Sequence, residues 1–445
     1  MNFSTEQILS LAPDDSSIKA GRSLATASKW QNPGQTERVL WGECFGSGAK
    51  PYQTQIDLPE PAFKCSCPSR KFPCKHGIGL LLLFASQPGL FVNSAPPDWV
   101  IEWLSKRDEQ AERKLSRETA NANQEPDEET LARRDAQRTK RALDREAKVT
   151  AGLQELDLWL RDLVRQGIAS LQTRPLTFWD HMAARLVDAQ APGVARRIRQ
   201  LSFIPQSGDG WTERLLTQLG SIFLLVKAYE RITELEPNVQ ADVRTAIGWT
   251  IKEDELPQTS LVRDEWYVLG QRSTGEESLR VHRTWLWGKR TNTGALILEF
   301  APAGQPLTSN LLAGTAIEAE LLFYPGNYPV RAIVKNRYGP PQSSTDISGF
   351  ETNSRLLAHF SEGLSRNPWL ESIPAALTTV MPVRTNDRWF IRDVEDRVVS
   401  MSRGSLDGWK LAALSGGHPI SILGEWNGGS FLPLNAIAEG RFVAI

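Results

Sequence analysis

The sequence predicts a multidomain α+β protein, in which a small ββα module precedes a helical middle region and a β-rich C-terminal region. Apolar residues alternate with polar ones around 39–67 and again after 260, as in strands, whereas between 153 and 249 they recur every three or four positions, as in helices. The chain of 445 residues has room for roughly two to four domains. The predicted divisions are a helical lead-in at 1–35, the ββα module at 36–95, a charged linker or helix at 96–148, a helical bundle at 149–255 and the β-rich region at 256–445.

The ββα module is predicted from three extended segments and one apolar helix. The extended segments lie at 39–41, 52–58 and 63–67, and the first two form a hairpin through a turn at Gly46-Ser47-Gly48. Residues 77–85 are apolar on every side of a helix, which predicts that this helix is buried. A helix of this kind gives a small module part of its core.

Charged and polar residues dominate 105–137, which predicts a linker or an extended solvated helix. Leucines then recur at helical spacing from Leu153 to Leu163, and further helices are predicted at 178–187, 191–202, 212–234 and 239–249. This block of about a hundred residues has the size of a bundle domain.

The remaining residues predict antiparallel strands separated by Gly, Pro and Asn turns. A helical interruption is expected at 350–380. The strands are predicted at 265–271, 279–287, 296–300, 316–324, 330–334, 388–392, 398–402, 420–426 and 431–433.

A cluster of metal-binding residues is the most specific signal in the chain. Cys65, Cys67, Cys74 and His76 comprise three of the four cysteines and one of the five histidines, all within twelve residues. Three thiolates and one imidazole fill the tetrahedral shell of one structural zinc ion and leave no position open for a substrate. Disulfide bonds are the alternative, but the spacing is typical of a metal site. Cys44 is predicted to be a packed thiol outside this shell.

The spacing also predicts how the ligands converge. If Cys65 and Cys67 lie on one strand, their side chains share a face and are separated by roughly 6.6 Å. The loop 68–73 then returns the chain, and His76 follows Cys74 at the beginning of the buried helix. The metal would tie this helix to the strand and stabilise the module.

Four cations, Lys64, Arg70, Lys71 and Lys75, surround the predicted zinc site. They either offset the net negative charge of a zinc ion bound by three thiolates, or they contact phosphates of a nucleic acid or the surface of a partner. The net charge of the chain is -1 and its pI is near 6.6, which argues against a generally basic nucleic-acid binder.

Sequence signals for an enzyme are lacking. There is no phosphate-binding loop, dinucleotide-binding glycine motif or G-x-S-x-G nucleophile motif. His282 and His418 have no acid or nucleophile beside them and are expected to be structural or on the surface. Core packing is the favoured interpretation for six tryptophans of the β-rich region, with base stacking or a peptide groove as alternatives: Trp266, Trp285, Trp287, Trp389, Trp409 and Trp426.

Localisation is predicted from the absence of targeting signals. No signal peptide is visible at the N-terminus, and the longest apolar stretch, 78–85, is too short to span a membrane. We therefore expect a cytoplasmic protein.

At the four ligand positions the chain resembles the SWIM-type zinc finger, whose pattern is C-x-C, a variable gap and C-x-H. Cys65, Cys67, Cys74 and His76 match that pattern completely. The resemblance extends over residues 18–95, where 21–25, 40–48 and 56–83 are similar to bacterial SWIM zinc finger proteins. It implies a ββα zinc module with a role in DNA binding or protein interaction.

The resemblance also implies partners. Bacterial proteins of this group tend to be encoded beside MoxR-type AAA ATPases and von Willebrand A-domain proteins. We therefore expect a non-enzymatic adaptor, with no catalytic residues, that acts with such a partner system. The alternatives are DNA binding through the finger and its four cations, and an enzyme within 260–445.

Overall fold

The computed structural model describes residues 4–46, 50–59, 61–123, 128–249, 251–276, 279–302, 311–402 and 406–445. Ser47 and Gly48 of the predicted turn lie outside these residues. The helices are α1 (Thr5–Ser10), α2 (Asp15–Leu24), α3 (Lys75–Ser86), α4 (Asp98–Asn123), α5 (Glu128–Gln166), α6 (Leu176–Asp188), α7 (Pro192–Leu201), α8 (Trp211–Glu230), α9 (Pro237–Ile247), α10 (Asn353–Arg366) and α11 (Asp407–Ser415).

The strands form three sheets. They are β1 (Trp30–Gln35), β2 (Val39–Cys44), β3 (Tyr52–Asp57), β4 (Ala62–Cys65), β5 (Val92–Asn93), β6 (Leu261–Glu276), β7 (Leu279–Gly288), β8 (Gly294–Pro302), β9 (Thr315–Phe323), β10 (Arg331–Arg337), β11 (Gln342–Ser343), β12 (Ile373–Thr385), β13 (Arg388–Arg392), β14 (Val398–Ser400), β15 (Ile420–Trp426), β16 (Phe431–Ala438) and β17 (Arg441–Ala444).

The predicted ββα module is confirmed as β3, β4 and α3, and it belongs to a larger sheet. The strand order is β4-β3-β2-β1-β5, with β5 parallel to β1 and the other neighbours antiparallel. The sequence analysis did not predict β1, because Asn32, Pro33 and Gly34 are turn residues. These residues coincide with a break in the β1–β2 register between Gln31 and Gly34.

Both faces of this sheet are covered. On one face, α1, α2 and α3 enclose a core that includes Ile8, Leu40, Ile56 and Leu80, each fully buried. On the other face lies the first part of α4, which the sequence analysis placed in the charged linker. Its Trp103 and Val100 pack against strand residues, namely Val39, Trp41 and Ala62.

Ion pairs fix α4 beside the sheet. Arg107 Nε lies 3.1 Å from the carboxylate of Asp57, which is 5% exposed. Arg38, which lies just before β2, is 2.5 Å from Asp108 of α4. The charged segment is therefore helical where it is described, as the interpretation of an extended helix predicted. Its first turns pack against the finger sheet.

The predicted bundle is confirmed. The C-terminal half of α5 packs with α6, α7, α8 and α9 around one core. Leu156, Ala195, Leu215 and Val243 are among its fully buried residues. Amphipathic spacing alone identified these helices, since each turns one apolar face inward.

The β-rich region contains two six-stranded sheets packed on a common core. Their orders are β10-β8-β7-β6-β9-β11 and β14-β13-β12-β15-β16-β17. The helical interruption predicted at 350–380 is correct only for α10. The rest is wrong, because β12 occupies the centre of the second sheet. The sequence analysis missed this strand because it contains Pro374 and Pro382, and proline is rare in central strands.

Four of the six tryptophans that the sequence analysis singled out in this region confirm the core prediction. Trp266, Trp285, Trp287 and Trp426 are at most 4% exposed. Trp409 differs because it is 59% exposed and contacts Trp389 edge-to-face at 5.2 Å between ring centroids.

The bundle and the β-rich region meet at a buried junction. Trp369, just before β12, lies within the bundle core and is 6% exposed. Its Nε1 donates to Ser221 O of α8 at 3.2 Å, and its carbonyl accepts from Arg197 of α7 at 3.1 Å. Asp242 of α9 accepts hydrogen bonds from Asn327 N at 3.0 Å and Asn367 Nδ2 at 3.1 Å.

Candidate metal centre

The predicted ligands come from two elements and the loop between them. Cys65 is the last residue of β4, Cys74 is the N-cap residue of α3, and His76 lies in the first turn of α3. Cys67 is not on the strand, because the chain bends at Ser66 and Cys67. The expectation of two cysteines on one strand is therefore wrong. The bend brings the sulfurs closer together than strand spacing allows.

The four ligand atoms converge on one point. All of them, three Sγ atoms and one histidine nitrogen, lie within 4.8 Å of one another. His76 Nδ1 is 3.6 Å from Cys65 Sγ and 4.0 Å from Cys74 Sγ. Zn–S and Zn–N bonds at a tetrahedral angle separate sulfur from nitrogen by about 3.6 Å. The donor set therefore fits one zinc ion with a complete protein shell.

Neighbouring groups orient the ligands. Thr54 Oγ1 of β3 donates to Cys65 Sγ at 3.2 Å, and the Tyr52 ring lies 4.9 Å from the His76 ring between centroids. Gly77 permits α3 to approach β4, because a Cβ atom there would lie 2.8 Å from the Phe63 ring. Such partners hold metal ligands in the required orientation.

The pKa values of the thiols indicate why the cluster needs a cation. A hydrogen bond from the Cys65 thiol lowers the pKa of Cys74 to about 4 and raises the pKa of Cys65. Burial raises the pKa of Cys67. Without a cation, therefore, burial and mutual repulsion disfavour three thiolates side by side. Zinc replaces the remaining thiol protons and lets all three sulfurs act as thiolates.

Cys44 lies outside the cluster. It is fully buried at the end of β2 in the core of the sheet. Burial raises the pKa of its thiol to about 11. The structure thus places Cys44 as a packed, protonated thiol, as predicted.

The four predicted cations are all exposed, but they differ in their surroundings. Lys71 Nζ lies 2.7 Å from Asp14 Oδ2, the N-cap residue of α2, and this contact is the main reason that the pKa of Asp14 lies well below its usual range. Within the described ranges, Lys64, Arg70 and Lys75 form no ion pair. Their predicted contact with a ligand stays a prediction.

Lys64 nevertheless faces α4. The pKa of Glu102 on α4 is lowered, chiefly by its hydrogen bond with Lys106 and in small part by Lys64. The positive charge of Lys64 thus acts in part on Glu102 of the same chain.

Other polar sites in the β-rich region contain paired groups. An open groove of about 480 Å³ is lined by residues that include Arg263, Glu318, Lys289 and Asp264. Arg263 pairs with Glu318, and Lys289 lies 3.5 Å from Glu265. Asp264 accepts three backbone N–H groups, from Glu265, Arg290 and Thr291. These groups hold the sheet and its turn in place.

The two histidines considered in the sequence occupy ordinary positions. His418 is exposed, and His282 is buried, with Nδ1 2.8 Å from Ser273 Oγ. Burial lowers the pKa of His282 to about 4. The sequence analysis did not single out His359, whose Nε2 lies 2.8 Å from Tyr328 Oη. Its helical context contained no signal that distinguished it.

None of the described helices is both long enough and apolar enough to cross a membrane. This finding agrees with the short apolar stretches of the sequence.

Comparisons with known families match two parts of the chain. Residues 52–84, which include β3, β4 and most of α3, match the SWIM zinc finger, and residues 144–247 match the SWIM-associated four-helix bundle domain. No curated protein and no solved structure matches the chain. The β-rich region lies outside both family matches. The chain therefore carries a SWIM zinc finger that holds one structural zinc ion, followed by the bundle domain associated with that finger.

Proposed function

We propose that the protein is a non-enzymatic adaptor, in which the zinc finger has an architectural role and the assembled domains present surfaces to protein partners. The observation that carries this proposal is the coverage of the finger. Helices α1 to α3 cover one face of its sheet and α4 covers the other. A finger enclosed in this way has little sheet surface left for a nucleic acid.

The chemistry of the zinc site supports the same function. Four protein ligands complete the tetrahedral shell, so no coordination position remains for water or substrate. The charged groups in the groove of the β-rich region are paired, Arg263 with Glu318 and Lys289 with Glu265. The partners that we propose are a MoxR-type AAA ATPase and a von Willebrand A-domain protein, on the basis of the sequence resemblance.

A pull-down of the tagged full-length protein from its own cells, with and without nuclease, tests this proposal. We expect stoichiometric protein partners that persist after nuclease treatment, identified by mass spectrometry. Recovery of nucleic acid, with all protein partners lost on digestion, would contradict the adaptor function.

DNA binding is the second candidate, because Arg70 and Lys75 are exposed and form no ion pair within the described part of the chain. If this candidate is correct, affinity for duplex DNA falls steeply with salt, and Arg70→Glu with Lys75→Glu reduces both the affinity and the salt slope. Lys71→Glu is an unsuitable probe, since it breaks the ion pair with Asp14 and perturbs α2.

A further inference from the structure

The N-terminal helix α1 contacts both the zinc finger and the far end of the chain. It packs against α3, the helix that carries His76, and against β17 of the β-rich region. Ile8 is fully buried in the finger core, and that core also contains Leu312, which lies just before β9. One short helix thus contacts both the finger and a segment that lies about three hundred residues after it in the sequence.

Gln7 makes the polar part of this junction. It is 1% exposed, and its Nε2 donates to Gly314 O at 2.8 Å across 307 residues of sequence. Its Oε1 accepts from Ser343 Oγ of β11 at 3.1 Å and from Ser4 N at 2.9 Å. A buried amide with partners on both sides is costly to separate, because each group would lose its hydrogen bond.

Helix α2 is tied to the loop 68–73 between the zinc ligands, which we call the zinc loop. Lys71, between Cys67 and Cys74, forms its ion pair with Asp14 at the beginning of α2. Helix α2 lies so close to α3 that a Cβ atom at Gly21 would be 2.6 Å from Ile78. The zinc ligands therefore hold the loop and α3, and these two elements position α1 and α2.

We propose that α1 is a latch that couples zinc binding in the finger to docking of the finger on the β-rich region. Zinc stabilises α3 and the zinc loop, and α3 supports α1 against β17. Loss of zinc loosens this support and releases the contact at Gly314. Coupling between two sites is reciprocal, so weakening the contact at Gly314 also weakens zinc retention. This inference does not depend on the adaptor function.

Hydrogen exchange on the full-length protein, with zinc bound and after chelation, tests whether loss of zinc releases the contact of α1 with the β-rich region. We expect chelation to increase amide exchange at 311–314 and 441–444 as well as in the finger. Increased exchange in 52–86 alone, with both distant segments unchanged, would overturn the proposal.

The zinc dissociation constant, measured at equilibrium by competition with a chromogenic chelator, tests the reciprocal effect of the Gly314 contact on zinc binding. Ser343→Ala removes one hydrogen bond of Gln7 from the β-rich side, and the substituted residue lies on β11. Gln7→Ala removes all of them. Thr5→Ala, at an exposed position of α1, is the matched control.

We expect Gln7→Ala to raise the zinc dissociation constant about 5-fold or more, Ser343→Ala to raise it by a smaller factor, and Thr5→Ala to match the wild type. Wild-type dissociation constants in both latch variants would overturn the proposal. If Gln7→Ala fails to fold, the dissociation constant of Ser343→Ala decides the question, since that variant leaves the helix and its apolar contacts intact.

Discussion

Trp369 is expected to hold the bundle and the β-rich region together, and Trp369→Ala measures this contribution. A tryptophan buries about 150–250 Å², and only 6% of Trp369 is exposed. At about 25 cal/mol per Å² the burial stabilises the fold by roughly 4–6 kcal/mol. A compact unfolded state lowers this by about 10–40%. We therefore expect a loss of about 3–5 kcal/mol, in the range that tryptophan truncations give.

Guanidinium unfolding of the zinc-loaded protein, followed by far-UV circular dichroism, provides the measurement. Trp409→Ala is the matched control, because Trp409 lies in the same region but is 59% exposed. It should cost less than about 1 kcal/mol, the value of an edge-to-face ring contact. Trp369→Phe should cost about 1–2 kcal/mol, since it keeps much of the apolar area and loses the hydrogen bond to Ser221 O. Equal losses in the two alanine variants would refute the reasoning.

Three further predictions concern the metal, the pH dependence and the backbone. Cys67→Ser should abolish stoichiometric zinc binding, measured by metal analysis, and expose the finger to protease while strands β6, β7 and β12 stay resistant; retention of one zinc would contradict this. Burial raises the pKa of Asp242 to about 6 from 3.8, so the folded state binds this proton more tightly and stability should fall as pH rises from about 4 to about 6. The difference in unfolding free energy between wild type and Asp242→Asn should change across that window, and parallel pH profiles would refute the assignment. Gly424→Ala should cost about 1–3 kcal/mol in denaturant unfolding, because its Cβ would lie 2.1 Å from the Leu432 carbonyl oxygen, whereas Gly275→Ala meets nothing within 4 Å and should be near neutral.

The zinc site could be predicted from sequence because its chemistry is local. Cys65 to His76 span twelve residues, and few structures other than a metal site use three cysteines and a histidine at that spacing. The bend at Cys67 could not be predicted, since the two-residue period of a strand and a turn before Pro68 are equally compatible with C-x-C. The bundle helices were also predictable, because each has one apolar face at helical spacing.

Elements whose role depends on distant residues could not be predicted. Val100 and Trp103 stand in a charged segment, and only the fold reveals that they cover the second face of the finger sheet. Strand β12 carries prolines and alanines that disfavour a strand locally, and it is held by pairing with β15 and β13. The contact of Lys71 with Asp14 likewise joins residues fifty-seven positions apart, so the sequence left its role open between charge compensation and ligand binding.

The contact of α1 with β17 has a consequence for synthesis on the ribosome. Residues 441–444 follow α1 by about 430 residues, so at 5–20 residues per second they are made roughly 20–90 s later. During this interval the finger can bind zinc and cover Ile8, but the side of α1 that contacts β17 has no partner. That side of the helix thus stays open on the nascent chain until β17 is made, and a chaperone would act on the protein in this interval.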